Sequence, residues 1–381
     1  MNIVFDAVGI RGHGAANVLE QLLKEFLLTR PDWEWYLFLL DKRYREFELN
    51  ISSPNLILEC TQKGNNGFER ILWVNKYLKD RVKRIKPDLI FSFANMGAIY
   101  PEEPQIVFVH QPNIFNIISF NGSIIKKLRF FMLKKVILCG AKNSKFVVVQ
   151  SSVMANGFKK NNKDLGEKIK VIPSGYRIKN KQPAIKEEIK QEILSSGKPR
   201  IVYISHPSEH KNHNNLIRAV KQISSRFPGV TLLLTLEKNI PPNKRYRRFV
   251  TEMGDLIKEL NIETNIKFLG ILNPDEVYYA LQESDIMAFP SFSESFGLGL
   301  VEAMYSGCPI AASDLPYARD VTKGAAVFFD PYNVDSIADS IIKLLEKPEL
   351  RIDLIKKGKI ISEEYSYSNI AKQFIQLFET I

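Results

Sequence analysis

Glu294 and Glu302, separated by the seven residues that begin Ser295-Phe296-Gly297-Leu298, form the pairing in this sequence best equipped to do chemistry. An ionised carboxylate only accepts hydrogen bonds, and its two oxygens can take both hydroxyls of a vicinal diol. The apolar run Ile286 to Phe289 reads as a buried strand ending at Pro290, and a helix is predicted from about Phe296 or Gly297 to Gly307, a residue suited to the position after a helix end. Free N–H groups at residues 296 to 298, with Gly297 permitting close approach, would bind phosphate or hydroxyl oxygens. Glu302 then lies about one and a half turns into the helix, placed for a ribose diol, and Glu294 lies in the preceding loop, placed for hexose hydroxyls. Taken singly, each glutamate would more often be a solvated or capping residue.

Upstream, the strand run Ile201 to Ile204 leads into Ser205-His206-Pro207-Ser208-Glu209-His210-Lys211-Asn212-His213 and then an apolar helix face through Leu216, Ile217, Val220 and Ile223. Three histidines in eight residues raise the question of a metal, but no carboxylate or cysteine stands at ligand spacing, so none is expected. Ile266 to Leu269 ends at Gly270, which fits either a ligand-facing corner or a plain strand end. In the first half, Gly9-Ile10-Arg11-Gly12-His13-Gly14-Ala15-Ala16-Asn17 follows the first strand and supplies two glycines of a dinucleotide fingerprint, with Asn17 at the third position. Asp41 ends the second strand run, where a dinucleotide oxidoreductase places its ribose acid. His110 follows Ile106 to Val109 at a strand's carboxyl end, as a cleft residue or a structural loop histidine.

The elements that would hold these residues are legible as nearly continuous apolar runs. Ile3 to Phe5, Trp35 to Leu40, Leu56 to Leu58, Leu89 to Phe93, Ile106 to Val109 and Phe146 to Val149 have the character of parallel strands buried on both faces. The rhythm breaks into Lys-, Asn-, Gln- and Glu-rich sequence between about Tyr176 and Arg200, then restarts. With 381 residues, two doubly wound α/β domains are expected, meeting at a cleft where nucleotide-containing ligands bind. The three cysteines lack metal or redox spacing and fit a reducing compartment. The N-terminus reads as a strand rather than a secretory signal, and no uncharged run approaches the roughly 18 residues of a membrane span. The net charge of +11 lies wholly in the first half: residues 1–178 hold 27 Lys and Arg against 16 Asp and Glu, and residues 179–381 hold 26 against 26. That asymmetry implies an anionic partner for the first half, a membrane surface or nucleic acid.

The paired glutamates, the strand before them, the small-residue helix after them and the Gly307-Cys308-Pro309-Ile310 segment together resemble the retaining glycosyltransferases of family 4, which have the GT-B fold. The resemblance implies that Glu294 and the amides of Ser295, Phe296, Gly297 and Leu298 contact the donor hexose, and that Glu302 holds the ribose. That family places an Arg and a Lys five residues apart on the donor diphosphate; Lys211 matches the Lys, and His206 stands where the Arg is expected. It also implies Gly12, Gly14 and Gly270 as donor-site residues and His110 near the donor sugar, so that His110, Glu294 and Lys211 would carry catalysis. No protein nucleophile is implied. In the resembling enzymes the acceptor attacks from the leaving group's own face and the departing phosphate takes the proton, so the resemblance implies retention of configuration. The expected donor is a UDP- or GDP-hexose acting as substrate, with no separate cofactor and no metal expected.

The implied layout is an acceptor-side Rossmann-like domain at 1–178, a linker at 179–198, a nucleotide-sugar domain at 199–362, and a helix at 363–381 packing back toward the first domain. The stretch Ser123 to Leu138 mixes Lys126, Lys127, Arg129, Lys134 and Lys135 with bulky apolar residues, fitting either a helix in an anionic bilayer interface or a buried helix with one basic face. With the charge distribution, this favours a cytoplasmic enzyme peripheral on the inner membrane face, acting on a lipid-linked glycan of a bacterial surface polysaccharide such as lipopolysaccharide, O-antigen or capsule. No nucleic-acid partner is expected. Two other readings compete: a nucleotide-sugar epimerase or NAD-linked oxidoreductase, which needs a Tyr-x-x-x-Lys or its equivalent, and a non-enzymatic basic membrane- or RNA-binding module, which leaves the paired glutamates without a role.

Overall fold

A computed structural model of the chain describes residues 1–11, 13–47, 51–110, 124–176, 183–237 and 244–381. In chain order its first elements are β1 (Asn2–Asp6), α1 (His13–Thr29), β2 (Glu34–Leu40), α2 (Asp41–Phe47), β3 (Leu56–Thr61), α3 (Gly67–Leu72), α4 (Leu78–Ile85), β4 (Leu89–Ser92), β5 (Gln105–Val109), α5 (Ile124–Lys142), β6 (Phe146–Val149), α6 (Ser152–Asn161) and β7 (Ile169–Val171). There follow α7 (Glu187–Leu194), β8 (Arg200–Tyr203), α8 (His213–Arg226), β9 (Thr231–Leu234), α9 (Lys244–Glu259), β10 (Ile266–Phe268), α10 (Pro274–Gln282), β11 (Ile286–Phe289), α11 (Leu298–Ser306), β12 (Ile310–Ser313), α12 (Pro316–Thr322), β13 (Val327–Phe329), α13 (Val334–Glu346), α14 (Pro348–Glu363) and α15 (Tyr367–Phe378).

The chain divides into two compact units, residues 1–175 with 367–381 and residues 176–366. The first contains a seven-stranded sheet of order β3-β2-β1-β4-β5-β6-β7, and the second a six-stranded sheet of order β10-β9-β8-β11-β12-β13. Every pairing in both sheets is parallel. Parallel neighbours need helical crossovers that cover both faces, which is why the central strands are apolar without alternation.

In the first unit, successive β1 residues feed two separate cores. Ile3 and Phe5 join Phe26, Trp35, Phe91, Phe93 and Phe108 with α15's Phe374 and Phe378 on one face, whereas Val4 joins Phe38, Trp73, Ile137, Met154 and Phe158 on the other. Phe26 stacks on Trp35 with centroids 5.2 Å apart and planes 2° from parallel. Each buried aromatic contributes about 1.5–3 kcal/mol, so α15, which brings two of them, is integral to this core.

The expected linker contains one short helix, α7, and residues 183–198 pack on the second unit: Ile193 of α7 is fully buried, and the Ala184 amide donates to Asp275 Oδ2 at 3.2 Å. The second unit includes them because α7 carries an apolar residue that the polar composition concealed. Contrary to expectation, the strand run at Leu56 is not buried on both faces, for β3 is a sheet edge with Ile57 50% and Leu58 36% exposed. In α5, Ile137 and Ala141 are buried, while Phe131 and Met132 are exposed beside Lys134 and Lys135. Ser123 and the side chains of residues 124–130 lie outside the described part of the basic stretch.

Candidate active site

In an open parallel sheet, loops leaving adjacent strands part to opposite faces where the strand order reverses, and ligands bind there. The second sheet reverses between β8 and β11. The loop after β8 carries His206 and Lys211, and the loop after β11 carries Glu294. Lys211 Nζ donates to Glu294 Oε1 at 2.6 Å, and the two side chains are only 18% and 12% exposed. The ammonium also lies 5.9 Å from the Phe289 ring centroid. The cation and carboxylate read separately from the sequence are one enclosed ion pair.

Several groups fix the two loops against each other. Asn212 adopts left-handed backbone with φ 57°, which asparagine tolerates better than most residues, and its amide donates to the carbonyls of Pro290 at 3.0 Å and Pro331 at 2.8 Å. The Phe292 N–H donates to the His210 carbonyl at 2.8 Å. Tyr203 Oη donates to the Lys211 carbonyl at 2.8 Å and lies 2.9 Å from Ser291 Oγ, while Tyr317 Oη donates to the Ser291 carbonyl at 2.7 Å. Burial pushes both phenols above their ordinary range, so they stay neutral donors. Tyr203, Ser291, Tyr317 and Asn212 position the pair, a role that no sequence pattern marks beyond Tyr203 lying on a strand.

The helix after Glu294 begins at Leu298, with its N-cap at Gly297 where the helix start is expected. Gly297 takes φ 98° at the N-cap of α11, where any side chain would be strained, and Gly307 ends the helix at φ 74°. No side chain caps α11, so the amides of its first turn, at Leu298 and Gly299, have no acceptor within the helix. Ser295 precedes this turn, and Phe296 anchors it: its ring is buried edge-on against Tyr365 at 5.6 Å, leaving only its backbone for a ligand.

Glu302 sits half-buried on α11, four residues and therefore about 6 Å of rise beyond Leu298. Burial pushes its carboxyl up from 4.5 to about 7. The free protein therefore carries a largely protonated Glu302 at pH 6 and an ionised one above pH 7. Because the folded state binds the proton more tightly than the unfolded chain, Glu302 weakens folding as pH rises from 4.5 through about 7. Ligand binding should run the other way, since only the ionised form accepts from both hydroxyls of a diol. UDP affinity measured by calorimetry should rise severalfold between pH 6 and 8, and Glu302→Gln should flatten that rise. A wild-type profile as flat as the variant's would remove the diol role.

The remaining expected residues divide as follows. His206 is exposed in the Lys211 loop. Gly270 takes φ 75° after β10, and its N–H is occupied by the Leu236 carbonyl at 3.1 Å, so that amide is not open to a ligand. Gly14 lies exposed in the first turn of α1, where an added Cβ would meet nothing, so close approach does not explain that glycine. Gly12 lies outside the described residues. His110 directly follows β5 in the first unit, its ring edge-on to Phe93 at 5.2 Å and Phe108 at 4.6 Å. Its amide donates to Asn95 Oδ1 at 2.8 Å, and burial pushes its imidazole down to about 4 against a hydrogen bond to the Phe93 backbone. It is thus a neutral ring at pH 7, suited to hydrogen bonding but not to supplying charge. Asp41 opens α2 and pairs with Arg45 at 3.0 Å one turn on, an ordinary helix-surface contact. Among the described residues no group of three metal-ligating side chains occurs, and no helix is long and apolar enough to cross a membrane.

Residues 185–360 match the family described as glycosyl transferases group 1. A D-inositol 3-phosphate glycosyltransferase of Nocardia farcinica is 29% identical over 150 residues, covering 39% of this chain and 33% of that protein. The chain matches a third to about half of the length of such curated relatives. Among solved structures, sucrose-phosphate synthase from Thermosynechococcus elongatus superposes with a TM-score of 0.76 at 18% identity, covering 100% of this chain and 98% of that one. Anabaena HepE in complex with UDP-glucose superposes with a TM-score of 0.74 at 17% identity, covering 100% of both chains. The fold is therefore GT-B, the two-sheet α/β architecture of glycosyltransferases. The segment that matches the glycosyl transferases group 1 family lies within the second unit.

Proposed function

We propose that this protein is a retaining glycosyltransferase of family 4 type that moves a hexose from a UDP- or GDP-sugar to a glycan acceptor without a metal or a separate cofactor. The observation that carries the reading is the enclosed Lys211–Glu294 pair at the strand-order reversal, beside the uncapped first turn of α11. An arriving diphosphate competes with Glu294 for the ammonium and meets the free amides of α11. Glu294, released, accepts from hexose hydroxyls, and Glu302 takes the ribose. Charge developing on the leaving diphosphate is met by Lys211 and the helix terminus, with the His206 ring as a hydrogen-bond donor at the expected arginine position. Anabaena HepE, of the same fold, was solved with UDP-glucose bound, which supports a nucleotide-sugar donor.

The acceptor, in this reading, is a lipid-linked glycan of a bacterial surface polysaccharide met at the cytoplasmic membrane face. Its support is the basic excess of residues 1–178 and the exposed Phe131 and Met132 beside lysines on α5. The test is a panel of UDP-, GDP- and dTDP-sugars scored for thermal stabilisation and slow hydrolysis in wild type, Glu294→Ala and Glu302→Ala, with sedimentation on anionic liposomes at low and high salt. One sugar nucleotide should stabilise the wild type and lose most of that effect in both variants. If none binds, or the variants bind equally well, the donor reading fails; absence of sedimentation at either salt removes the membrane.

A further inference from the structure

Behind the Lys211 loop, the second unit contains a cavity of about 540 Å³ between the start of α8, the first half of α9 and Phe292. That volume falls in the range of small-ligand sites. Its wall shares a backbone with the ion pair, since Asn212 follows Lys211 and Phe292 lies two residues before Glu294, but none of the paired side chains lines it. The donor reading makes no use of it.

The chemistry of the wall selects the ligand. Arg248 Nε is bound by Glu252 at 2.7 Å, and Glu209 adds a second carboxylate to the same wall, so the charge is net negative and unfavourable to phosphate. Asn212 gives its side-chain N–H groups to the Pro290 and Pro331 carbonyls and Asn215 gives one of its two to Pro331, which leaves their Oδ1 atoms as acceptors and one Asn215 N–H as a donor. Asn214, exposed on the first turn of α8, supplies both a donor and an acceptor. His213, 4% exposed and also in the wall, bonds Ser205 through Nε2 at 2.8 Å, while its buried Nδ1 lacks a partner among the described residues. Two aromatic rings complete the lining: Phe249, and Phe292, which is stiffened by stacking on Tyr332 at 4.7 Å. A wall that offers both acceptors and donors, carries a slight negative excess and has flat apolar faces complements a neutral molecule rich in hydroxyls and C–H faces.

We propose that this cavity is a second carbohydrate site that holds one or more residues of a neutral glycan, separate from the donor. A glycan gripped there stays on the protein while the nucleotide exchanges. The binding claim does not rest on the donor reading.

The experiment uses the full chain with maltotriose, α-mannotriose and triacetylchitotriose as probes at millimolar concentration, followed by saturation-transfer NMR and titration. At least one trisaccharide should bind saturably, and Asn214→Ala and Phe249→Ala should each weaken it about tenfold. Asn214 lies exposed on a helix, so its variant keeps the test valid if the Phe249 variant melts early. Glu294→Ala should leave trisaccharide affinity within about twofold. The site is overturned if no trisaccharide binds, if Asn214→Ala binds as tightly as wild type, or if Glu294→Ala abolishes binding, which would put the sugar in the donor site instead.

Discussion

Replacing Lys211 by alanine should lower kcat/KM for sugar transfer by about 10²–10³-fold, the loss typical of removing one preorganised group that meets developing charge. Two effects act together. On the proposed function, the variant withdraws the ammonium that would face the diphosphate, and it leaves Glu294, whose side chain is 12% exposed, as an enclosed anion without its counter-ion. An arriving diphosphate then meets repulsion where it formerly met attraction. These effects are separable by measuring UDP affinity, because UDP lacks the hexose that Glu294 would hold. If Lys211 acts only by neutralising Glu294, adding Glu294→Gln to Lys211→Ala restores UDP binding. If it acts on the diphosphate directly, affinity stays about tenfold or more below wild type in the double variant. The second result is expected. Activity within threefold of wild type in Lys211→Ala would remove Lys211 from the site altogether.

The residues of that pair were legible in the sequence, but their contact was not. Lys211 and Glu294 are 83 positions apart, and they meet only because β8 and β11 are neighbours in the sheet. Strand order is not contained in the apolar runs, which report burial alone. The same runs identify β1, β2, β4, β5 and β6 well because those strands are covered on both faces. They fail at β7 and β13, each three residues long, of which Ile169-Lys170-Val171 carries a lysine at its centre. The edge strand β3 shows the opposite failure, with an apolar run that in the fold is partly exposed. Glu302 was legible as a carboxylate one helix segment beyond Glu294, but its displaced ionisation depends on how densely the surrounding chain covers it. The glycines diverge for a similar reason. Gly297 is demanded by its backbone angle, whereas Gly14 sits in a helix where another residue would fit.

Arg70→Met should destabilise the first unit by about 3–5 kcal/mol, the usual cost of leaving a buried charge without its partner. Asp6, at the end of β1, is fully buried and accepts from Arg70 Nη1 at 3.0 Å and Nη2 at 2.7 Å, from Trp73 Nε1 at 3.0 Å and from the Val8 amide at 3.3 Å. Arg70 itself is 5% exposed. This network anchors the turn leaving β1 at the point where the first sheet reverses order between β1 and β4. Packing there is tight enough that a Cβ on Gly9 would come within 2.9 Å of Arg70 Nε and 2.8 Å of Ala94 Cβ. A methionine fills much of the arginine's stem volume but supplies neither charge nor donors, so Asp6 keeps two hydrogen bonds and loses its counter-ion. For a unit of this size, the loss corresponds to a fall in melting temperature of about 10 °C. Asp6→Asn combined with Arg70→Met removes the uncompensated charge and should recover part of that fall, because the cost comes from isolation of the anion more than from loss of attraction. A double variant that melts no higher than Arg70→Met would show that Arg70 contributes by packing alone, and a single variant that melts within about 2 °C of wild type would show that the buried pair is not what holds the turn.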